Sequence, residues 1–342
     1  MKNSLLITLV VLAGCSFAPR LEQPAVETAP QFKELTPEER GRWKTAQPAE
    51  AQPRGEWWRV FGDAKLTALE EQAIAANQSL RMAAARVAQA RALVGVVNAE
   101  RSPRVDAGFG PSRIKPSGQP PATVWRGLIG VSYEVDLFGR VSDGVAAARS
   151  DYEGLQAAFQ SVLLALQADV AQTYFAIRQA DDELALLRNT LALREDSVRL
   201  LARRYELGEI NELDVNRART ELATTRSEAI ALERRRAQLE HALAVLLGQA
   251  PATFGLEAAP LAGAMPNIPA GLPSTLLERR PDIASASRAM AAANARIGVA
   301  KAAFFPVVSL TAQAGYESGE LSDLFHWSSR TWALGPLFGT IL

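Results

Sequence analysis

Residues 201–215 read LARRYELGEINELDV, and the fold turns on this stretch. Ile177, Ala180, Leu184, Leu187, Leu191, Arg194, Val198, Leu201 and Tyr205 approach it in alternating steps of three and four. Ala218, Leu222, Thr225, Ala229, Leu232, Arg236, Leu239, Leu243 and Leu246 leave it in the same way. A sustained 3.5-residue repeat is the period of a left-handed coiled coil, not of one straight surface helix. Between the two seams lies Leu207-Gly208-Glu209, a turn. Asn211 can cap the second helix, and Asp214 falls at its third position. No proline occurs between Pro121 and Pro251. Before the turn, roughly 65 residues at about 1.5 Å each make a rod on the order of 100 Å. The expectation is a long antiparallel helical hairpin over 141–247.

Upstream of the hairpin the period changes. In Arg104-Val105-Asp106-Ala107-Gly108-Phe109-Gly110 apolar residues alternate with polar ones or glycine. After a Pro/Ser/Gly loop (111–122), Trp125, Gly127, Ile129, Val131, Tyr133, Val135 and Leu137 form one row. Arg126, Gly130, Ser132, Glu134 and Asp136 form the other, with Leu128 as the exception. Strands at 104–110 and 123–137 therefore make a hairpin. Apolar-out, polar-in alternation is what a transmembrane barrel strand needs. A half-buried soluble hairpin alternates equally well, so the pattern alone leaves both open. Further upstream, Asp63 can cap a helix running through Leu66, Leu69, Ala73, Ala76, Leu80, Ala84 and Val87 to Arg101, which Pro103 stops.

Downstream, Gly248 and Pro251 end the hairpin and a linker runs over 248–280. Pro281 suits a first helical turn, and a helix is expected over 281–305. With an offset of 203, Val94-Gly95-Val96 lies over Ile297-Gly298-Val299 and Pro103 over Pro306. Strands follow at 307–316 and 331–340, around a polar loop. The unit of helix, strands and long helix thus begins twice, and the second copy is incomplete at Leu342. The repeat leads one to expect roughly 110–130 further residues carrying a second hairpin.

Composition limits the function classes. The 342 residues hold 37 Lys+Arg against 37 Asp+Glu, so there is no basic footprint for nucleic acid. Cys15 is the sole cysteine, which excludes a disulfide framework and a cysteine metal site. His241 lies off the seam and His326 in a loop, neither with a partner at ligand spacing. No metal, cofactor or catalytic set is expected; an enzyme is the least supported class. At the N-terminus Lys2 precedes a short apolar run, Leu5 to Val11, too short to span a bilayer. Leu12-Ala13-Gly14-Cys15 resembles a bacterial lipobox, in which the cysteine becomes the acylated first residue. Residues 1–14 would then be a lipoprotein signal peptide and 15–56, rich in Pro, Glu, Gln and Ala, an acylated extended tether. A general secretory site beside a free cysteine is the other reading. Ser16 follows rather than an aspartate, which under the bacterial sorting convention points to outer membrane lipid.

Five motifs then carry a family resemblance. They are Trp58-Arg59-Val60-Phe61-Gly62-Asp63 with Asn77-Gln78-Ser79-Leu80; Val135-Asp136-Leu137-Phe138-Gly139-Arg140; Arg204-Tyr205-Glu206-Leu207-Gly208 with Leu213-Asp214-Val215; Leu276-Leu277-Glu278-Arg279-Arg280-Pro281-Asp282-Ile283; and Ala303-Phe304-Phe305-Pro306. From Cys15 to Leu342 the chain resembles the TolC-like outer membrane factors, in their lipoprotein branch, truncated at the C-terminus. The resemblance implies a mainly α protein with a β-barrel segment. Each protomer of a homotrimer would give four strands to a twelve-stranded transmembrane β-barrel and its coiled-coil helices to an α-barrel tunnel. It further implies a passive export conduit for drugs or other small molecules in a Gram-negative bacterium. A periplasmic adaptor would dock on the helical tip, which maps onto Arg204, Tyr205, Gly208 and Leu213, and an inner-membrane pump would act through that adaptor. The family's gating aspartate matches Asp214, although a first-turn acid also simply favours the helix dipole. Two other classes remain on the sequence alone: a periplasmic adaptor lipoprotein, and a non-conducting structural lipoprotein.

Overall fold

The short run Trp57–Phe61 coils into a 3-10 turn, and Asp63 then starts the first helix. One carboxylate oxygen of Asp63 accepts from the backbone N–H of Lys65 (2.8 Å) and of Leu66 (3.0 Å), groups that a helix start leaves orphaned. The computed structural model describes residues 16–22, 55–261 and 279–339. The signal peptide, Cys15, most of the tether and most of the linker lie outside the described residues. The helices are α1 (Ala64–Ala76), α2 (Gln78–Ala99), α3 (Arg140–Glu206), α4 (Glu212–Leu246) and α5 (Pro281–Ala302). The strands are β1 (Arg104–Ile114), β2 (Ala122–Val135), β3 (Val307–Ser318) and β4 (Arg330–Gly339).

The described residues fall into two compact units. Of these, one draws on residues 16–22, 86–158 and 281–339, the other on 55–85, 159–261 and 279–280. The first holds a single sheet in the order β1-β2-β3-β4, every neighbour antiparallel. In the same unit, α5 buries a face of small residues: Ala284, Ala292, Ala295, Gly298 and Ala302.

In the second unit α3 and α4 form the hairpin. Every α4 seam position from Ala218 to Leu246 is covered, and so is every α3 position from Ile177 to Leu201. Ala180, Leu184 and Leu232 make a small core with Leu187 against it. Ion pairs cross beside the seam: Arg226 with Glu195 at 2.9 Å, and Arg194 with Glu221. A larger core gathers Trp58, Leu66, Leu69, Ala73, Val170, Tyr174, Ile177, Leu243 and Leu247.

Several boundaries differ from the sequence reading, each for a physical reason. The helix expected over 66–101 is two helices. Asn77 turns its backbone extended (ψ 127°). Its amide donates to the Leu246 carbonyl (2.9 Å), and its side-chain oxygen accepts from Leu80 N–H (3.0 Å). Gly248, at φ +68°, lies against this break; a Cβ there would meet the Ala76 carbonyl oxygen at 2.7 Å. β1 continues through Pro111 to Ile114, instead of ending at 110. As an edge strand, β1 tolerates a residue that cannot donate. β2 ends at Val135 because the Asp136 carboxylate is taken by the next helix, accepting from Val141 N–H (3.1 Å) and Ser142 N–H (2.7 Å). α5 stops at Ala302, and β3 runs on to Ser318.

Glu70 is fully buried on α1, and neither carboxylate oxygen has a hydrogen-bond partner among the described residues. Burial pushes its pKa up to about 8 from the ordinary 4.5. The folded state therefore holds a proton that the unfolded chain releases, and stability falls as pH rises from about 4.5 to about 8. Between pH 6 and 8 the loss is about 2 kcal/mol. Glu70→Gln removes this titration. Chemical unfolding at pH 6 and pH 8 should show the wild-type midpoint dropping more than the variant's. Parallel drops would place the charge elsewhere.

Candidate functional site

Antiparallel pairing fixes which side chains share a face of the sheet. One face carries Val105, Ala107 and Phe109 of β1, with Trp125, Ile129, Val131, Tyr133 and Val135 of β2. It continues through Val308, Leu310, Ala312, Ala314 and Tyr316 of β3 to Trp332, Leu334, Pro336 and Phe338 of β4. The opposite face carries Arg104, Asp106 and Ser112, then Arg126, Ser132 and Glu134, then Ser309, Thr311, Gln313 and Glu317, then Thr331. Leu128 and Leu337 interrupt the polar face, as do Ile114, Val124 and Val307 at strand ends, and Arg113, Thr123, Ser318 and Arg330 lie at the loop end of the apolar face.

Much of the apolar face is exposed. Phe109 is 65%, Ile129 59%, Trp332 77%, Leu334 76% and Phe338 69% exposed. A soluble hairpin would bury this row inside its own subunit, and an apolar patch of this kind marks an interaction surface. Strands of 11, 14, 12 and 10 residues suit a tilted crossing of a bilayer. No described helix is long and apolar enough to cross a membrane. On the polar face, Arg126 and Glu317 pair across β2 and β3 at 2.8 Å. At its end, Arg140 holds Glu134 through two bonds of 2.7 Å and reaches Glu100 at 3.3 Å.

At the hairpin turn, Gly208 has φ +77°. Its N–H donates to the Tyr205 carbonyl (2.8 Å), and Glu209 N–H donates to the Arg204 carbonyl (3.0 Å). These two bonds make a Schellman cap, and only glycine adopts that backbone without cost. Asn211 accepts from Asp214 N–H (3.1 Å) and starts α4. Arg204 pairs with Glu209 at 3.0 Å.

The turn thus brings Arg204, Tyr205, Gly208 and Leu213 to one end of the hairpin. Tyr205, the last position of the α3 seam, is 45% exposed rather than packed, and Leu213 is 55% exposed. Asp214 is half-buried in a groove with Arg194, Ser197, Leu201, Arg217 and Glu221. Its carboxylate has no ion pair among the described residues, and Arg194 in the same groove is paired with Glu221. Reading the seam alone passes over Leu186, Leu193, Leu200 and Leu207. They recur every seven residues, the first three on another side of α3 and Leu207 just past its end, and are all more than 60% exposed. The signal was present as heptad spacing out of register with the seam. Cys15 lies outside the described residues. Among those described, no group of acidic or imidazole side chains is placed to hold a metal ion.

With this geometry in view, residues 69–249 and 272–340 match the family model described as outer membrane efflux protein. The solvent efflux pump outer membrane protein SrpC of Pseudomonas putida is 36% identical over 354 residues, covering 98% of this chain and 72% of its own. A crystal structure of a membrane protein from Pseudomonas aeruginosa aligns with TM-score 0.82 and 33% identity over 96% of this chain and 74% of that one. The open state of the MtrE outer membrane channel of Neisseria gonorrhoeae aligns with TM-score 0.79 and 31% identity, over 96% and 73%.

Proposed function

The chain belongs to the outer membrane efflux protein family, as one subunit of an outer-membrane efflux channel, and from that premise we propose how it conducts. Three copies join through the free edges of β1 and β4 into a twelve-stranded barrel. Bacterial single-chain barrels begin at about eight strands, so four cannot close alone. An open sheet edge cannot face hydrocarbon, because its backbone N–H and C=O groups would have no partners there. The exposed apolar face meets lipid. The polar face, with Arg104, Asp106, Arg126, Glu134 and Glu317, lines a water-filled lumen.

The helices stand in the periplasm. Leu186, Leu193 and Leu200 give α3 a second apolar side, which supports packing against a helix beyond its own hairpin. The turn receives a periplasmic adaptor, with Tyr205 and Leu213 as apolar contacts and Arg204 as the charged one. The unpaired Asp214 takes an ionic partner in the second hairpin that the repeat leads one to expect, and holds the tunnel shut until that contact is broken. An inner-membrane pump supplies the energy, and solute passes without a catalytic step. Cys15 carries acyl chains into the outer membrane.

The single observation that carries this reading is the sheet: four strands, two chemically different faces, and an apolar one on which Phe109, Ile129, Trp332, Leu334 and Phe338 are exposed. Protein extracted in detergent should run as a trimer and give unitary conductance steps in a planar bilayer. Stable monomers that never conduct would defeat it.

A further inference from the structure

We propose that the loop end of the barrel carries a site for the phosphate of an outer-leaflet lipid headgroup, built at each subunit seam from Arg330 of one copy and Arg113 of the next. The inference rests on the three-copy barrel proposed above, because β1 and β4 are opposite edges of the sheet and one chain alone keeps these residues apart. The helices all join one end of that sheet: α2 leads into β1, β2 into α3, and α5 into β3. Loops 115–121 and 319–329 close the other end, which points away from the periplasm and so toward the outer leaflet.

Both arginines lie on the face that meets lipid. Arg113 continues the row of Val105, Ala107 and Phe109 and stands opposite Thr123. Arg330 stands opposite Tyr316. Each is at the loop end of its strand: Arg113 immediately precedes Ile114, the last residue of β1, and Arg330 is the first of β4. Both are exposed, and neither has an acidic partner among the described residues. Between Asp106 and Glu134 the β1–β2 hairpin carries Arg113, Lys115 and Arg126 and no acid. Only Arg126, on the polar face, is neutralised, by Glu317.

Loop 319–329 folds outward beside them. Phe325 packs edge-on against Tyr316, with centroids 5.7 Å apart, and Tyr316 belongs to the apolar face. The Arg330 guanidinium lies over the Trp327 ring, and its Nε donates to the Trp327 carbonyl (2.9 Å). Leu324 is fully buried, and Ser329 Oγ donates to the Asp323 carbonyl (2.7 Å), which closes the loop on itself. The Asp323 carboxylate faces His326 at 3.8 Å rather than Arg330. Phe325 and Trp327 stay 68% and 74% exposed. Exposed aromatic rings at the end of a barrel face mark the level of the lipid headgroups. Oriented by its Nε and by the indole, Arg330 offers its two terminal nitrogens at that level. A guanidinium grips phosphate through paired, charge-assisted hydrogen bonds. Neighbouring strands lie about 4.8 Å apart, so arginines at two adjoining strand ends bracket one phosphate.

Native mass spectrometry of the full-length protein in detergent tests this, with dioleoyl phosphatidic acid as the probe and dioleoylglycerol as its uncharged counterpart. The wild-type trimer should bind up to three phosphatidic acids, one per seam, and dioleoylglycerol at least about tenfold more weakly. Arg113→Gln and Arg330→Gln should each weaken phosphatidic acid at least about tenfold. Arg234→Gln, which removes the same charge from an exposed position of α4, should leave its affinity unchanged. Equal binding by wild type and both rim variants overturns the site while the trimer stands. Equal affinity for inorganic phosphate would make the seam a site for the free anion and overturn the lipid as its source. A chain that stays monomeric in the same spectra fails the barrel reading itself, and the seam with it.

Discussion

Asp181→Ala destabilises the hairpin unit by about 3–5 kcal/mol, the cost of leaving buried charge unpaired. Asp181 is 7% exposed and sits between two guanidiniums. Arg178 donates to one of its oxygens at 3.0 Å, and Arg236 donates to the other at 2.5 Å. The network extends to the segment after α4. Arg178 donates to the Glu257 carbonyl (2.7 Å), and Arg236 to the Leu256 carbonyl (2.7 Å) and to Glu240 (3.0 Å). Glu240 accepts from Leu256 N–H, and Asp181 from Ala259 N–H (3.2 Å). Removing the carboxylate leaves Arg178 and Arg236 facing each other in a site that water enters poorly. The same loss at the exposed pair Arg203–Glu206, whose side chains are 70% and 62% exposed, costs less than about 1 kcal/mol.

Urea unfolding followed by helix circular dichroism separates the two variants. Hydrogen exchange adds a local check: the Ala259 amide should lose protection in Asp181→Ala more than the Leu261 amide, which bonds to Asp182. A cost at Asp181 no larger than at Arg203 would show that the network is ornamental to stability.

This network was not legible in the sequence, and the reason is general. Arg178 and Asp181 are three apart on one helix, but Arg236, Leu256 and Ala259 reach them only through the packed hairpin. Arg236 looked like an ordinary charge at a seam position. The hairpin itself was legible because its signal is local and repeated: a heptad seam, Gly208 at the turn, Asn211 as cap. The sheet was half legible. Alternation gave the strands and their two faces, whereas exposure of Trp332, Leu334 and Phe338 was needed to decide what the apolar face meets. The break at Asn77 was missed because the apolar spacing continues across it; only the Leu246 carbonyl explains why that asparagine stops the helix.

Gly315→Val separates the sheet into two hairpins and removes the trimer. β1 pairs with β2 and β3 with β4 across loops, but β2 and β3 are joined only by their own ladder, from Trp125 opposite Ser318 to Val135 opposite Val308. Gly315 stands within it, opposite Leu128. A Cβ on it would lie 2.0 Å from the Gly127 carbonyl oxygen and 2.8 Å from the Leu128 Cα. Both are backbone atoms, so no side-chain rotation relieves the clash; one strand must move away and its hydrogen bonds go with it. Gly335→Val is the matched control. It lies on the same face, opposite Thr311, and a Cβ there meets nothing within 4 Å. Overpacking that neighbouring side chains can absorb costs about 1–3 kcal/mol, and a backbone obstruction costs more. Size-exclusion chromatography of equal amounts of membrane extract should give at least about tenfold less trimer for Gly315→Val than for Gly335→Val. Equal trimer from the two would mean that the ladder between β2 and β3 can re-register around a side chain. The sheet would then not depend on this close approach to present one face to lipid and the other to the lumen.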